Sequence, residues 1–331
     1  MRIATFNLEN FDDEAGQEPS HATRVAIMRP QLERIAADVL CLQEVHSQEG
    51  DQGRVLAALD TLLAGTRYAT YQRVTTLTTD GQLYDVRNLV TLSRFPLVDH
   101  PRTIIRDSDG PRPAYQVATA EPPDQTTDLL RWERPILYAQ VDLGQGRLLH
   151  VLNVHLKSKL ATDIAGQKLD EYTWRSPSAW AEGSFISAMK RVGQALQVRL
   201  EIDRLFDQAA QAGGPTPLIA VCGDFNADAG DVPLQAICGH VEDTGNPAHG
   251  PRMLVPCENQ VPEPARYSLF HLGRGEMLDH VLVSRALLAT LRGTEIHNEY
   301  LPDESGAFRT DVRFPESDHA PVVARFSLLE D

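Results

Sequence analysis

Six places in the chain set polar, chemically capable side chains beside an apolar run. Asn7 and Glu9 follow Ile3-Ala4-Thr5-Phe6, and Glu44 follows Leu40-Cys41-Leu42-Gln43. His155 follows Val151-Leu152-Asn153-Val154, and Asp224 and Asn226 follow Ile219-Ala220-Val221-Cys222-Gly223. Asp279 and His280 precede Val281-Leu282-Val283, and Asp318 and His319 precede Ala320-Pro321-Val322-Val323. Carboxylates with amide oxygens suit a hard cation such as Mg²⁺ or Mn²⁺, with Ca²⁺ a further candidate. Two histidines near carboxylates supply acid, base and stabilisation of transition-state charge. The ligand spacing of a zinc site is missing. So are a glycine-rich nucleotide loop and a GxSxG elbow. Metal-assisted hydrolysis of a phosphate ester is the chemistry that remains. One Asp after a strand is a common turn or cap residue; the six cases together carry the reading.

Such residues act together only if rigid elements bring their ends together. RIATFNL reads as a strand, and DVLCLQEV as one covered on both faces. Between them Val25, Met28, Leu32 and Ile35 recur at helical spacing, with Pro30 either a kink or the first turn. Val55, Leu59, Leu62 and Leu63 place a second helix before Gly65. Strands follow at NLVTLSRF, RPILYAQVDL and GRLLHVLNVHL, the last two joined by the hairpin turn Gly144-Gln145-Gly146. Phe185, Met189, Val192, Leu196, Leu200 and Phe206 mark a long helix that Gly213-Gly214-Pro215 stops. LIAVCGDF, MLDHVLVS and HAPVVARFSL are strands, with a helix near Arg285 to Leu291. Residues 106–130 and 240–266 read as irregular. The order of elements predicts an α/β layered sandwich of mixed strands with helices outside. Chemistry spread from residue 7 to residue 319 favours one domain over 1–331.

The chain has 331 residues, 42% of them apolar, and a net charge of −15. That apolar content excludes wholesale disorder. The sequence contains no run long and apolar enough to span a membrane, and its start reads as a strand and not a signal peptide. The cytoplasm is therefore the expected compartment, and no obligate protein partner is evident. The acidic balance excludes a protein that coats nucleic acid by bulk charge but leaves room for a local basic groove. Four cysteines are too few for a disulfide scaffold. Cys41 and Cys222 read as buried thiols; Cys238 and Cys257 lie near loops, where pairing stays open.

The stretches ATFNLENF, ADVLCLQEV, VTLSRFPL, ERPILYAQV, LNVHLKSK, GDFNAD, LDHVLVS and SDHAPVVARF, in this order, resemble the endonuclease/exonuclease/phosphatase superfamily. The resemblance spans nearly the whole chain. It implies a four-layer α/β sandwich, two mixed β-sheets face to face with helices outside, and strand-end residues converging at one edge. It implies Glu44 as direct metal ligand, with Asn7 supporting metal and phosphate and Asp318 a further metal-side carboxylate. Glu9 falls where some members carry a second acid near the metal, and reads equally as a surface acid. By the same resemblance Asp224 and Asn226 activate or orient water and bind phosphate oxygens. His319 contacts the scissile phosphate, Asp279 orients and charges it, and His155 is a second histidine. The acidic partner of His155 stays open: Asp85 and Asn88 lie in roughly the right region, and neither is assigned.

The expected substrate is a phosphodiester, with nucleic acid, DNA or RNA, as the first reading. A small-molecule or lipid-headgroup phosphate ester is the alternative. From Arg131 to Arg191 nine basic residues face six acidic ones, a net of +3 that leaves −18 elsewhere. Trp132, Trp174 and Trp180 all fall there, with Tyr172 and Phe185, and Lys157 and Lys159 follow His155. Cations with aromatics suit a nucleic-acid strand; the same aromatics equally suit packing of an insertion onto the body.

Overall fold

The computed structural model describes residues 1–132, 134–305 and 313–327. Two expected stretches run past these bounds: Glu133 of ERPILYAQV and Leu328 of the last strand lie outside the described residues. Strand β1 (Arg2–Phe11) leads to helix α1 (His21–Ile35), β2 (Val39–Val45), α2 (Ala57–Leu63), β3 (Gln72–Thr75) and β4 (Asn88–Ser93). Next come β5 (Leu97–Val98), β6 (Ile104–Ile105), β7 (Ile136–Asp142), β8 (Leu148–His155), α3 (Pro177–Gln211), β9 (Leu218–Asp224) and α4 (Val232–Cys238). The last are β10 (Leu254–Pro256), β11 (Leu269–His271), β12 (Arg274–Glu276), β13 (Asp279–Ser284), α5 (Arg285–Leu288), β14 (Leu291–Ile296) and β15 (Val322–Phe326).

A six-stranded sheet has the order β14-β15-β1-β2-β4-β3. A seven-stranded sheet has the order β10-β13-β9-β8-β7-β5, with β6 also on β7. Each contains one parallel pair among antiparallel ones: β1 with β2, and β8 with β9. A parallel pair needs a crossover, and α1 and α3 supply them. Both parallel pairs thus end, at their carboxyl ends, in the polar residues singled out above.

Three apolar layers show how the sheets stack. Ile3, Val39 and Cys41 of one sheet meet Val151, Ala220, Cys222 and Val281 of the other. Phe6, Leu40 and Leu42 face α1 and α2 through Met28, Leu32, Leu59 and Leu62. Leu152, Val154 and Val221 face α3 and α4 through Val198, Ile202 and Leu234. The result is the four-layer α/β sandwich that the sequence led us to expect. No helix among the described residues is long and apolar enough to cross a membrane.

Several local expectations are corrected. Ser20 caps α1 by accepting from the Thr23 N–H, so Pro30 lies inside the helix and not in its first turn. Val55 belongs to a short hairpin, Gln48–Gly50 with Gly53–Val55, and not to α2. The expected helix to Leu291 stops at Leu288, and Leu291–Ile296 is an edge strand. The stretch 240–266 contributes strand β10, and 106–130 a two-residue pairing of Ala114–Tyr115 with Asp128–Leu129. Helix α3 buries Phe206 of the apolar stripe read in its sequence but turns most of that stripe outward. Phe185, Val192, Leu196 and Leu200 are exposed, whereas Glu182, Gln194, Gln197 and Glu201 are buried among loops that they hydrogen-bond. Cys238 and Cys257 do not pair: all four cysteines are free and buried.

Candidate active site

Alternation along the strands builds the site. Inward-facing residues run Ile3, Thr5, Asn7 on β1 and Val39, Cys41, Gln43 on β2. On the facing sheet they run Val151, Asn153, His155 on β8, then Ala220, Cys222, Asp224 on β9, and Val283, Val281, Asp279 on β13. Each series passes from apolar core toward amides and charged groups at one edge, because side chains two apart share a face. Register sets His155 opposite Asp224, and Asp224 opposite Asp279. Gly223 makes this possible. Its φ is +150°, and a Cβ there would lie 1.9 Å from the Val154 carbonyl oxygen.

Alternation alone would turn Glu44 away. Its φ of +57°, within a register break of β2 against β4, places it in the site instead. Glu9, Asn10 and Asn226 also have positive φ, at 50°, 44° and 47°. Non-glycine residues in this region are uncommon and gather at functional sites. Arg24 satisfies the carbonyls that the β1 bulge frees: its guanidinium donates to Leu8 O at 2.7 Å and Glu9 O at 2.9 Å.

The structure brings all nine expected residues into one connected network. Asp224 is its hub. Its Oδ2 accepts from Asn7 Nδ2 and Asn226 Nδ2, each at 3.1 Å, and faces His155 Nε2 at 3.2 Å. Its Oδ1 accepts from the Asn226 N–H at 2.8 Å. His155 Nε2 also lies 3.5 Å from Glu44 Oε1. Glu44 Oε2 accepts from Asn10 N–H at 3.0 Å, and Asn7 Oδ1 from Glu9 N–H at 2.9 Å. Glu9 Oε2 accepts from Asp318 N–H at 3.1 Å. His319 Nδ1 lies 2.6 Å from Asp279 Oδ2, while its Nε2 is 4.0 Å from Asp224 Oδ2 and 3.9 Å from Asp318 Oδ1.

Charge follows position. Burial opposes the imidazolium of His319, yet Asp279, Asp318 and Asp224 together hold its pKa well above the ordinary value. His155 goes the other way, lowered by burial and by Arg134. Its Nε2 faces two carboxylates and its Nδ1 has no partner among the described residues, which assigns a neutral Nε2–H tautomer. Burial would raise Asp224, but the two histidines and the Asn226 N–H hold it below the usual carboxylate range. Asp318 is raised well above that range by burial, Glu9, Glu304 and Glu44, and Glu9 is raised by burial and Glu44.

Mutually raised carboxylates are what a bound cation relieves. Asp318 Oδ1 is buried without a hydrogen-bond partner among the described residues. Glu9, Glu44 and Asp318, with the Asn7 amide beside them, form a hard oxygen donor set that fits a divalent ion. Asp224, Asp279 and His319 also lie within 4.8 Å of one another in their ligand atoms. There, however, the imidazole and carboxylate are spent on each other, and Asp224 Oδ2 already faces three nitrogens.

Some functional neighbours escaped sequence reading. Asp85 pairs with Arg54 and Asn88 bonds Tyr84 and Val45, so neither partners His155; Asp224 and Glu44 do. Arg134 and Arg87 place positive charge beside Glu44. Arg134 stands inside the ERPILYAQV stretch, where an Arg-Pro before a strand was a usable signal. Ser317 ties the two halves by donating to Asn7 O at 2.7 Å and accepting from His319 N–H at 3.1 Å.

The profile of the Endonuclease/Exonuclease/phosphatase family matches residues 4–319. The chain belongs to that family. Membership makes it a hydrolytic phosphoesterase of a divalent-metal-dependent family. No curated protein sequence matches the chain. Among solved structures, truncated TDP2 of Caenorhabditis elegans aligns at 16% identity and a TM-score of 0.55, covering 98% of this chain and 96% of that one. The 3' phosphatase NExo from Neisseria, bound to a product DNA hairpin, aligns at 19% and 0.52, covering 99% of both. A mannosyl-6-phosphatase of Bacteroides thetaiotaomicron aligns at 15% and 0.56, covering 99% of this chain and 100% of that one. At such identities the likeness speaks for the shared fold of the family.

Proposed function

We propose that this phosphoesterase cleaves phosphodiester bonds of nucleic acid, DNA or RNA, acting as one catalytic domain over residues 1–331. The carrying observation is the position of Asp224, between the acid cluster Glu9–Glu44–Asp318 and the 2.6 Å His319–Asp279 pair. Asn7, Glu9, Glu44 and Asp318 would hold Mg²⁺ or Mn²⁺, with Ca²⁺ a weaker candidate. Once bound, the ion neutralises charge on a phosphate oxygen as a Lewis acid. His319, kept cationic by Asp279, donates from Nε2 to the scissile phosphate and offsets charge that builds there. His155 donates its neutral Nε2–H to Asp224 and so holds that carboxylate in place. Asp224, held anionic by four nitrogen neighbours, orients the attacking water together with the Asn226 amide. A carboxylate so stabilised is a weak base, so orientation and electrostatics matter more here than proton abstraction.

A polynucleotide fits the surroundings. The stretch Lys157–Thr162 leaves the sheet along α3, meeting Gln194, Ser187 and Gly183 in turn. Lys157 and Lys159 lie on this stretch, Arg191 donates to Lys157 O and Ser158 O, and Lys159 pairs with Asp231 and Glu276. Of the aromatics, Trp132 is buried and donates to Gln197, and Trp174 packs under Lys168. Tyr172 and Trp180 remain 67% and 53% exposed, as stacking surfaces require.

The test is a substrate panel with Mg²⁺, Mn²⁺, Ca²⁺ or chelator. It contains single- and double-stranded DNA, RNA, abasic duplex, bis-p-nitrophenyl phosphate, a phosphomonoester and sphingomyelin. Metal-dependent polynucleotide cleavage is expected, with Glu44→Gln removing most of it from a folded protein. Turnover of only the monoester or sphingomyelin would replace nucleic acid with the small-molecule or lipid-headgroup reading. Near-normal cleavage by Glu44→Gln would remove Glu44 from the metal site.

A further inference from the structure

Beneath the charged edge lies a polar layer that the chemistry above does not use. Thr5 Oγ1 donates to Gln43 Oε1 at 3.1 Å, within one sheet. Gln43 Nε2 then crosses between the sheets to Asn153 Oδ1 at 2.8 Å. Asn153 Nδ2 returns to the first sheet, donating to Leu42 O at 3.2 Å, Val90 O at 3.1 Å and Thr91 Oγ1 at 3.4 Å. Thr5, Gln43 and Asn153 are each fully buried. All around them the two sheets meet through Val, Ile, Ala and Cys, contacts that are non-directional and tolerate sliding. A buried hydrogen-bonded chain does not slide, because any shift strands donors and acceptors away from water. Its members stand one or two residues from the site: Thr5 two before Asn7, Gln43 next to Glu44, Asn153 two before His155.

We propose that Thr5, Gln43 and Asn153 are positioning residues that pin the two sheets at the spacing catalysis needs. The site is split between the sheets: Asn7 and Glu44 come from one, His155, Asp224 and Asp279 from the other. The pin holds Glu44 at 3.5 Å from His155 and Asn7 at 3.1 Å from Asp224. The catalytic part of this inference rests on the hydrolytic reading above; the spacing part does not.

The test separates pinning from mere stability. Asn153→Leu leaves Gln43 Nε2 buried without its acceptor and should lower the urea midpoint. The triple change Thr5→Val, Gln43→Leu, Asn153→Leu removes all three linked side chains at once and replaces them with apolar groups of similar shape; only Leu42 O, Val90 O and Thr91 Oγ1 lose a donor, and the change should recover part of that loss. The recovered protein should still show kcat on bis-p-nitrophenyl phosphate down by about tenfold or more with KM little changed, since a small misplacement is enough. The ¹⁵N resonances of the His155 ring should move with it. A triple variant with wild-type kcat and unmoved His155 resonances would overturn the pin. Thr5→Val alone, which removes one hydroxyl and no volume, should shift kcat and resonances the same way by less. It decides the matter if the triple variant does not fold, and no change in either readout would overturn the pin. Should the wild-type protein hydrolyse no ester, the hydrolytic reading fails, and the His155 resonances still decide the pin.

Discussion

Replacing Gly223 with alanine should damage the protein twice over, through its fold and through its chemistry. The new Cβ would sit 1.9 Å from the Val154 carbonyl oxygen and 2.8 Å from its carbon, both backbone atoms in the β8–β9 ladder. No rotamer change relieves a clash with backbone. The strands must part by about 1 Å, which for overpacked cores costs about 1–3 kcal/mol. Alanine at a φ of +150° adds strain of order 1–3 kcal/mol. Together these take roughly 2–6 kcal/mol from a total stability of about 5–15 kcal/mol. The same displacement separates His155 from Asp224, which the ladder holds opposite each other. A shift near 1 Å in a reacting constellation costs on the order of 10²-fold in rate. Urea denaturation followed by circular dichroism gives the first number. Steady-state hydrolysis of bis-p-nitrophenyl phosphate, well below the unfolding midpoint, gives the second. A Gly223→Ala protein with the wild-type midpoint would refute the clash. A clearly destabilised variant with wild-type kcat would refute the claim that this register matters to the chemistry.

Asp279→Asn should lower kcat about 10²–10³-fold without unfolding, because it removes the leading carboxylate that keeps His319 protonated. Its activity should fall at lower pH than that of wild type as pH rises, which a pH–rate profile reads. His150 is buried beside the Tyr138 hydroxyl at 2.7 Å, and burial, with Arg204 and His100, lowers its pKa to about 4. Its folded value lies below its unfolded one, so its contribution is complete above about 6.5 and is lost as pH falls toward 4. The unfolding free energy read from urea titrations should therefore fall by about 2 kcal/mol more between pH 7 and pH 5 in wild type than in His150→Gln. The four cysteines are buried, and burial pushes Cys238 up to about 12. Iodoacetamide should leave all four unmodified in the native protein and label them only after unfolding, as mass spectrometry would show.

Much of the site could be read from alternation. Once β1, β2, β8, β9 and β13 are recognised as strands, Asn7, His155, Asp224 and Asp279 fall on the inward face by counting in twos. Glu44 does not: it is one place off that count, and its placement depends on left-handed backbone that leaves no periodic trace; its position after an apolar run and the family resemblance pointed to it. Helix α3 misled for a related reason. Its buried face mixes Ala195, Val198, Ile202 and Leu205 with Glu182, Gln194, Gln197 and Glu201, which hold loops by hydrogen bonds, while Phe185, Val192, Leu196 and Leu200 stay exposed, so hydropathy did not separate the two sides. Strand β14 escaped because an edge strand reading Arg292-Gly293-Thr294-Glu295 has almost no apolar content and is defined by its pairing with β15. The partner of His155 has no mark in the sequence, because register puts it directly across the ladder, at Asp224.

The strand order also has a temporal side. In the first sheet β1 sits between β2 and β15, so the opening strand of the chain is completed by its last. Asp318 and His319 arrive with that last strand, bonded to Glu9 and to Asp279. A chain still emerging from the ribosome has one flank of β1 unpaired and no His319. Synthesis through the last described strand must therefore precede assembly of the site, and β1 is the segment most in need of protection while it waits.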